Sequence, residues 1–506
     1  MFLITKDFRE KVKITSNSMY HSRWFVLSII AYGVAVRVVS YLYNRSLWLD
    51  ESMISVAMIE LDWGDLFGPL NYGESAPIGF LVVSKVLIDI FGSSEYVLRL
   101  FPLFSGIASI FVFYKLTTLI SSTSVRPIAV ALFCTSTGLI NYANEVKQYS
   151  IDVLMCLVLS TIACLIIKDR GQGENRVVAY GLFLTIALWS SDASIFVASG
   201  VGLAMALVFW ARRDFTVLRM LAKLSFIGAG NLLAIYLLHF RNILGREFYF
   251  DWWSSYFAPI PLWGNYEEIR WYLNTFRNFV ELMGIQQITL LGLIGVLFLA
   301  GITAMYIRYK LALLLLVIPI ALLVLASSLH LYPMGNRLIL FLVPYALILL
   351  AEGINAFRVR NSRASNIVPI ILVILVMSMP IVNSARAVVK PPDVGVREVT
   401  TIISEKVNKE DVIYVYYNAK PAFDYYLSDF LEPKGIKTIF GISARNQWKK
   451  YEEDLSNLKN FDRVWIFFSA VCCGEEEQFV GYLNSVGNIV YSIVADDVAA
   501  YLFSFP

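Results

Sequence analysis

Two adjacent carboxylates, Asp50 and Glu51, stand in the stretch SLWLDES (residues 46–52), just after an apolar run that ends near residue 42. A carboxylate can take a proton from an attacking hydroxyl, and Trp48 beside it suits the headgroup level of a bilayer. Solvated loop acids have the same residue types, so position relative to the membrane decides between the readings. Further on, NYANEVKQYS (141–150) crowds Glu145, Lys147, Gln148 and Tyr149 between two apolar runs, and YPMGNRL (332–338) brings Tyr332, Asn336 and Arg337 to another turn. Lysine offers a phosphate a point charge and arginine a bidentate fork. The bland alternative is interface anchoring, with tyrosine rings and a lysine snorkelling toward water. His239 and His330 each close an apolar run; a lone histidine there is usually structural, and the chemical alternative is contact with a metal or phosphate.

Helices that cross a membrane must position these groups. Of 506 residues, 58% are hydrophobic and 16% charged, with mean hydropathy +0.63; soluble domains average about 45–50% and about 25%. Twelve apolar segments approach the roughly 20 residues that span a hydrocarbon core of about 30 Å. The N-terminal MFLITKDFREKVK is basic and lacks the short apolar core and cleavage site of a secretory signal peptide. If all twelve segments crossed from a cytoplasmic N-terminus, KDRGQGENR (168–176), RRDFTVLR (212–219) and RVRNSR (358–363) would all fall outside, against the positive-inside rule. Removing the short segment PIGFLVVSKVLIDIFG, which carries Lys85 and Asp89, returns all three to the cytoplasm. That segment suits the outer interface. The expected architecture is a polytopic α-helical membrane protein with about eleven transmembrane helices over residues 1–386, outer loops at 43–95, 141–150 and 239–287, and an extracytoplasmic domain over 387–506.

The aromatic loop FYFDWWSSYFAPIPLWGNYEEIRWYLNTFRNF reads as an interfacial belt, some of whose rings can line a groove for an isoprenoid chain or stack on a sugar. Lys390, Pro391, Pro392 and Asp393 mark the linker to the C-terminal domain. There, strand-like 411–417, 436–441 and 463–468 alternate with helix-like 421–430, 448–460 and 475–487, the pattern of a small, mostly parallel α/β sheet. No glycine-rich nucleotide fingerprint follows any of these strands. A net charge of +3 provides no basic bulk for nucleic acid. Cys472 and Cys473 read as two unpaired thiols, because adjacent cysteines join only with distortion.

Taken together, SLWLDES, SAPIGF, FGSSEYVLRLFPLFSG, NEVKQYSIDVL and YPMGNRLILFLVPYALILLAEG, in that order over about residues 20–360, resemble the membrane glycosyltransferases of the GT-C architecture. The resemblance is to bacterial relatives of the protein O-mannosyltransferases and of the aminoarabinose transferase that modifies lipid A. It implies an inverting transfer from a polyprenyl-phosphate-linked sugar to a hydroxyl of a glycan, lipid or protein, at the outer face of a bacterial inner (plasma) membrane. Asp50 would then be the base, with Glu51 orienting it or helping to position a cation. Lys147, Tyr149, Arg337, Tyr332 and Glu74 would bind substrate or phosphate. A divalent cation (Mg, Mn, Ca or Zn), if used, would fall to Glu145, Glu74 or His239. The chain departs from the aminoarabinose transferases in having Glu74, Ser75 and Ala76, not lysine, before Pro77, so the phosphate cation must come from elsewhere. The α/β tail also differs from the lumenal domain of the mannosyltransferases. Two other classes compete: a secondary transporter, which shares the span count but would show internal repeats and midplane charges, and a non-catalytic envelope-assembly scaffold with the tail as its working part. Sugar, acceptor and oligomeric state are not legible.

Overall fold

In the computed structural model, which describes residues 23–168, 174–242, 252–260, 265–358, 367–389 and 393–506, the apolar runs become helices. α1 (Arg23–Leu42) is followed by α2 (Leu49–Glu60) and α3 (Ile78–Phe91) in the first loop. Then come α4 (Leu100–Ile120), the pair α5 (Arg126–Thr135) and α6 (Thr137–Asn141), α7 (Tyr149–Lys168), α8 (Glu174–Ser190), α9 (Ser194–Ala211) and α10 (Phe215–Leu238). α11 (Tyr266–Leu282) precedes α12 (Leu291–Arg308), α13 (Lys310–Ser328), α14 (Val343–Ala356) and α15 (Ile367–Val389). Among the described residues nine helices are long and apolar enough to cross a membrane. Among the described residues α5 (Arg126–Thr135) is a further, shorter apolar helix. The chain is an integral membrane protein.

α3 has 14 residues, about 21 Å of helix at 1.5 Å per residue, too short for the hydrocarbon core. Its charges are also in use: Lys85 Nζ donates to the Ile59 carbonyl (3.2 Å), and Asp89 accepts from the Trp63 indole (3.2 Å). The α5–α6 break comes at Ser136, which is extended and donates its hydroxyl to the Leu282 carbonyl at 2.8 Å. Elsewhere small residues set the packing. A Cβ on Gly301 would lie 2.0 Å from the Leu349 carbonyl oxygen, and one on Gly353 would lie 1.9 Å from that of Leu297. Only glycines let α12 and α14 approach this closely.

The chain divides into two compact units. A helical unit comprises Met1–Leu42, Ala76–Ser84 and Arg99–Lys390; a sheet unit comprises Tyr43–Ser75, Lys85–Leu98 and Pro391–Pro506. Most of the first loop, with Asp50 on α2, thus folds with the C-terminal residues. Polar bonds make this attachment. The Ser46 N–H donates to Asp393 (3.0 Å), the Leu47 N–H to the Tyr426 hydroxyl (2.9 Å), and the Tyr426 hydroxyl to Glu95 (2.9 Å), which also pairs with Arg397 (2.6 Å). Burial alone would raise Asp393, but hydrogen bonds from Gly395 and Ser46 bring it below its ordinary range. A second seam joins Tyr72 and Lys420 to Asp424.

The C-terminal elements are α16 (Val396–Lys406), β1 (Val412–Val415), α17 (Lys420–Tyr426), β2 (Lys437–Phe440), α18 (Trp448–Ser456), β3 (Arg463–Ser469), α19 (Glu475–Asn484), β4 (Asn488–Ala495) and β5 (Val498–Ser504). The sheet order is β2-β1-β3-β5-β4. β1 pairs in parallel with β2 and β3, whereas β5 pairs antiparallel with β3 and β4. The expected mostly parallel sheet is therefore corrected to a mixed one. Only Asp496 and Asp497 separate Ala495 from Val498, and so short a link can join only antiparallel strands. The expectation of two unpaired thiols is also corrected, because Cys472 and Cys473 are joined as a disulfide. The linker residues Lys390, Pro391 and Pro392, the basic Arg170, Arg360 and Arg363, and the aromatic stretches 243–251 and 261–264 lie outside the described residues.

Tyr426→Phe removes the acceptor for the buried Leu47 N–H and a donor to Glu95. An unsatisfied buried group costs about 1–3 kcal/mol. The variant should melt several degrees lower in detergent and be cleaved faster by protease between residues 43 and 75; unchanged melting and cleavage would show that the seam does not hold the loop.

Candidate active site

In the sheet unit, α2 begins at Leu49, so Asp50 and Glu51 occupy its first turn, where carboxylates complement the unpaired N–H groups of a helix start. Their surroundings separate them. Glu51 is fully buried, paired with Arg45 at 2.9 Å, and accepts from the Trp48 N–H at 3.5 Å. Asp50 is half-exposed. A buried, ion-paired carboxylate holds a helix end in place; the half-exposed one can meet a substrate. Glu74, also half-buried, lies in the extended stretch before Pro77.

In the helical unit, residues 143–150 are buried, and only Asn141 and Tyr142 of the 141–150 stretch reach the surface. Glu145, Lys147, Gln148 and Tyr149 are all at most 8% exposed, so the interface-anchoring alternative fails here, since a snorkelling lysine keeps its head in water. The Lys147 N–H donates to the Glu145 carbonyl at 2.7 Å, a tight turn just before α7. The Tyr149 ring stacks edge-on with Tyr142 (5.1 Å) and lies beneath the Arg337 guanidinium (5.8 Å), within the range of a cation–π contact. Arg337 and Tyr149, far apart in sequence, are thus brought together. Tyr332 joins them through its surroundings: burial, then the charges of Asp152 and Asp192 and the neighbouring Tyr149, hold its phenol well above the ordinary value. It keeps its proton and donates to the Leu338 carbonyl (3.2 Å).

The aromatic loop supports this turn. The Met334 N–H donates to the Tyr256 carbonyl (2.9 Å), and a Cβ on Gly335 would lie 3.0 Å from the Tyr256 ring and 3.2 Å from Trp253. His239 is buried against Phe240 (ring centroids 5.5 Å apart), and burial lowers its pKa. Among the described residues no group of three or more His, Cys, Asp or Glu side chains gathers as a metal site.

Sequence reasoning passed over Asp152. It is 5% exposed in the first turn of α7, and its Oδ1 has no hydrogen-bond partner among the described residues. An acid inside an apolar run is the signal in the sequence that marks it.

No family model matches the chain, and no curated protein matches it. Solved structures do. The apo structure of ArnT from Cupriavidus metallidurans aligns over 94% of this chain and 97% of its own, with a TM-score of 0.56 at 13% identity. The same protein bound to undecaprenyl phosphate aligns over 95% and 98%, with 0.56 at 12%. The Archaeoglobus fulgidus oligosaccharyltransferase tethered to an acceptor peptide aligns over 95% and 74%, with 0.52 at 12%. The chain has the GT-C fold over nearly its whole length.

Asp192, in the short α8–α9 connection, is pushed up to about 6 by burial. A carboxyl whose folded value is raised contributes stability that is complete below its ordinary 3.8 and lost as pH rises through about 6. The melting midpoint in detergent should fall across that window, and Asp192→Asn should flatten the fall; an equally steep profile in the variant would assign it to another group.

Proposed function

We propose that this protein is an inverting glycosyltransferase. It moves a sugar from a polyprenyl phosphate to an acceptor hydroxyl on the extracytoplasmic side of a bacterial plasma membrane, where the sheet unit also resides. The observation that carries this reading is the full-length GT-C fold combined with a half-exposed Asp50 beside a Glu51 committed to Arg45. In this reading Asp50, the more exposed of the two, acts as base.

In this reading the acceptor oxygen attacks the anomeric carbon, a new C–O bond forms as the bond to the lipid phosphate breaks, and Asp50 takes the hydroxyl proton. Polyprenyl phosphate leaves with the bond's electron pair. Lys147 and Arg337 hold its oxygens as negative charge localises on them, Tyr149 fixes the guanidinium from below, and Tyr332 contributes a neutral hydroxyl. A single displacement inverts the anomeric centre; retention would call for two carboxylates in facing roles. The carrier supplies an activated sugar where nucleotide sugars are absent. A divalent cation on Glu145, Glu74 or His239 has no converging ligand set in its favour among the described residues, and no step depends on it.

Asp50→Asn should cut transfer by about 10²- to 10⁴-fold, the usual contribution of a general base, with unchanged melting in detergent. Lys147→Ala and Arg337→Ala should each weaken donor use by about ten- to a hundredfold, the loss of a charged hydrogen bond, with a smaller effect on acceptor KM. Wild-type turnover in Asp50→Asn, or equal donor kinetics in the cation variants, would overturn these roles.

A further inference from the structure

The sheet unit contains a polar cavity that none of the roles above uses. Its volume is about 530 Å³, within the roughly 300–1,000 Å³ of small-molecule sites. Its lining includes Trp48 and Leu49, the residues directly before Asp50, Glu476 and Glu477 at the start of α19, and Asp496 and Asp497 in the β4–β5 turn. No lysine or arginine among the described residues lines it. Three properties follow. The cavity is half-open and large enough to hold a small molecule, an indole forms part of its lining, and every charged group lining it is negative.

Resting on the transferase reading, we propose that this cavity is the acceptor subsite and that the acceptor is a saccharide chain without phosphate, neutral or bearing free amines. An indole can lie against the apolar face of a sugar ring. Carboxylates accept charge-assisted hydrogen bonds from sugar hydroxyls and pair as ions with ammonium groups. Phosphate would meet four like charges and no counter-cation. Because Trp48 and Leu49 open the helix that carries Asp50, a chain held against them lies within one helical turn of that carboxylate in sequence. Of the three acceptor classes the fold leaves open, glycan, lipid and protein, the cavity selects glycan and disfavours a phosphorylated lipid headgroup.

The test uses the full-length protein in nanodiscs and three probes: maltotriose, chitosan trisaccharide with its free amines, and a trisaccharide monophosphate. Binding is measured by saturation-transfer NMR, without donor. Chitosan trisaccharide should bind tightest, maltotriose next and the phosphorylated probe weakest. Asp496→Asn combined with Asp497→Asn changes two exposed side chains and should leave melting unchanged. It should weaken the amine probe by about fivefold, as expected for lost surface ion pairs, while strengthening the phosphorylated one. This opposite movement would not arise from a purely structural change. Trp48→Ala should weaken all three. Tightest binding of the phosphorylated probe, wild-type affinities in both variants, or no binding of any probe would overturn the proposal. Binding that follows the predicted order in a protein without transferase turnover would uphold the cavity and remove the transferase reading; turnover with variant-insensitive binding would do the reverse.

Discussion

The ion pair between Glu95 and Arg397, with the Tyr426 hydroxyl shared between Glu95 and the Leu47 N–H, is the contact that ties the first loop into the sheet unit. Residues 43–75 would otherwise be a loop leaving a membrane span, and a loop with few buried apolar contacts opens easily. Bonded to α16 and α17, the loop instead becomes part of a folded unit, and α2 starts at a defined place. Arg397 is raised above its ordinary value: burial, the largest single effect, would lower it, but the hydrogen bond and charge of Glu95 with the charges of Tyr426 and Asp393 together outweigh it. Glu51 continues the arrangement on α2 itself, its charge neutralised by Arg45, leaving Asp50 as the carboxylate with access to solvent.

The helical unit solves a different problem. It buries Lys147, Glu145, Asp152 and Tyr149 close to where the chain enters α7. Buried charges are costly unless they are paired or neutralised, and an apolar membrane protein has little reason to retain them for stability. Arg37 makes the same point: it is fully buried within α1, its Nη1 donates to the Gly33 carbonyl at 3.0 Å, its guanidinium lies over the Phe133 ring (5.8 Å), and its Nε and Nη2 have no hydrogen-bond partner among the described residues. Such groups persist in membrane interiors chiefly where they serve function. The Arg337–Tyr149 contact and the Tyr332 phenol beside Asp152 and Asp192 give the helical unit a compact polar site built from three separate turns.

Much of this was legible from residue types and spacing. Charge parity singled out Pro77–Gly92 as a segment that does not cross, and in the fold its Lys85 and Asp89 are bound by the first loop. The three strand-like runs of the tail became β1, β2 and β3, and the helix-like runs became α17, α18 and α19, because each carried a clear period. α16 and the β4–β5 hairpin were missed: the first follows a proline-rich linker that masks its start, and the second lies beyond the last run considered. The sheet's parallel character was misread for that reason. Side-chain roles were less legible than elements. Nothing in SLWLDES says that Glu51 is buried and Asp50 is not, since that depends on Arg45 folding back onto the helix. Asp152 went unremarked because its importance comes from Ser191, Asp192 and Tyr332, which approach it only in three dimensions.

The central claim is that the activated sugar arrives on a lipid phosphate. It is tested most directly by presenting purified protein in proteoliposomes with a panel of short-chain polyprenyl phosphate sugars and, in parallel, nucleotide sugars, while measuring released polyprenyl phosphate and the anomeric configuration of the product. The account predicts release from at least one lipid-linked donor, none from nucleotide sugars, and a product of opposite anomeric configuration. Turnover of nucleotide sugars, retention of configuration, or no release from any lipid-linked donor would contradict it.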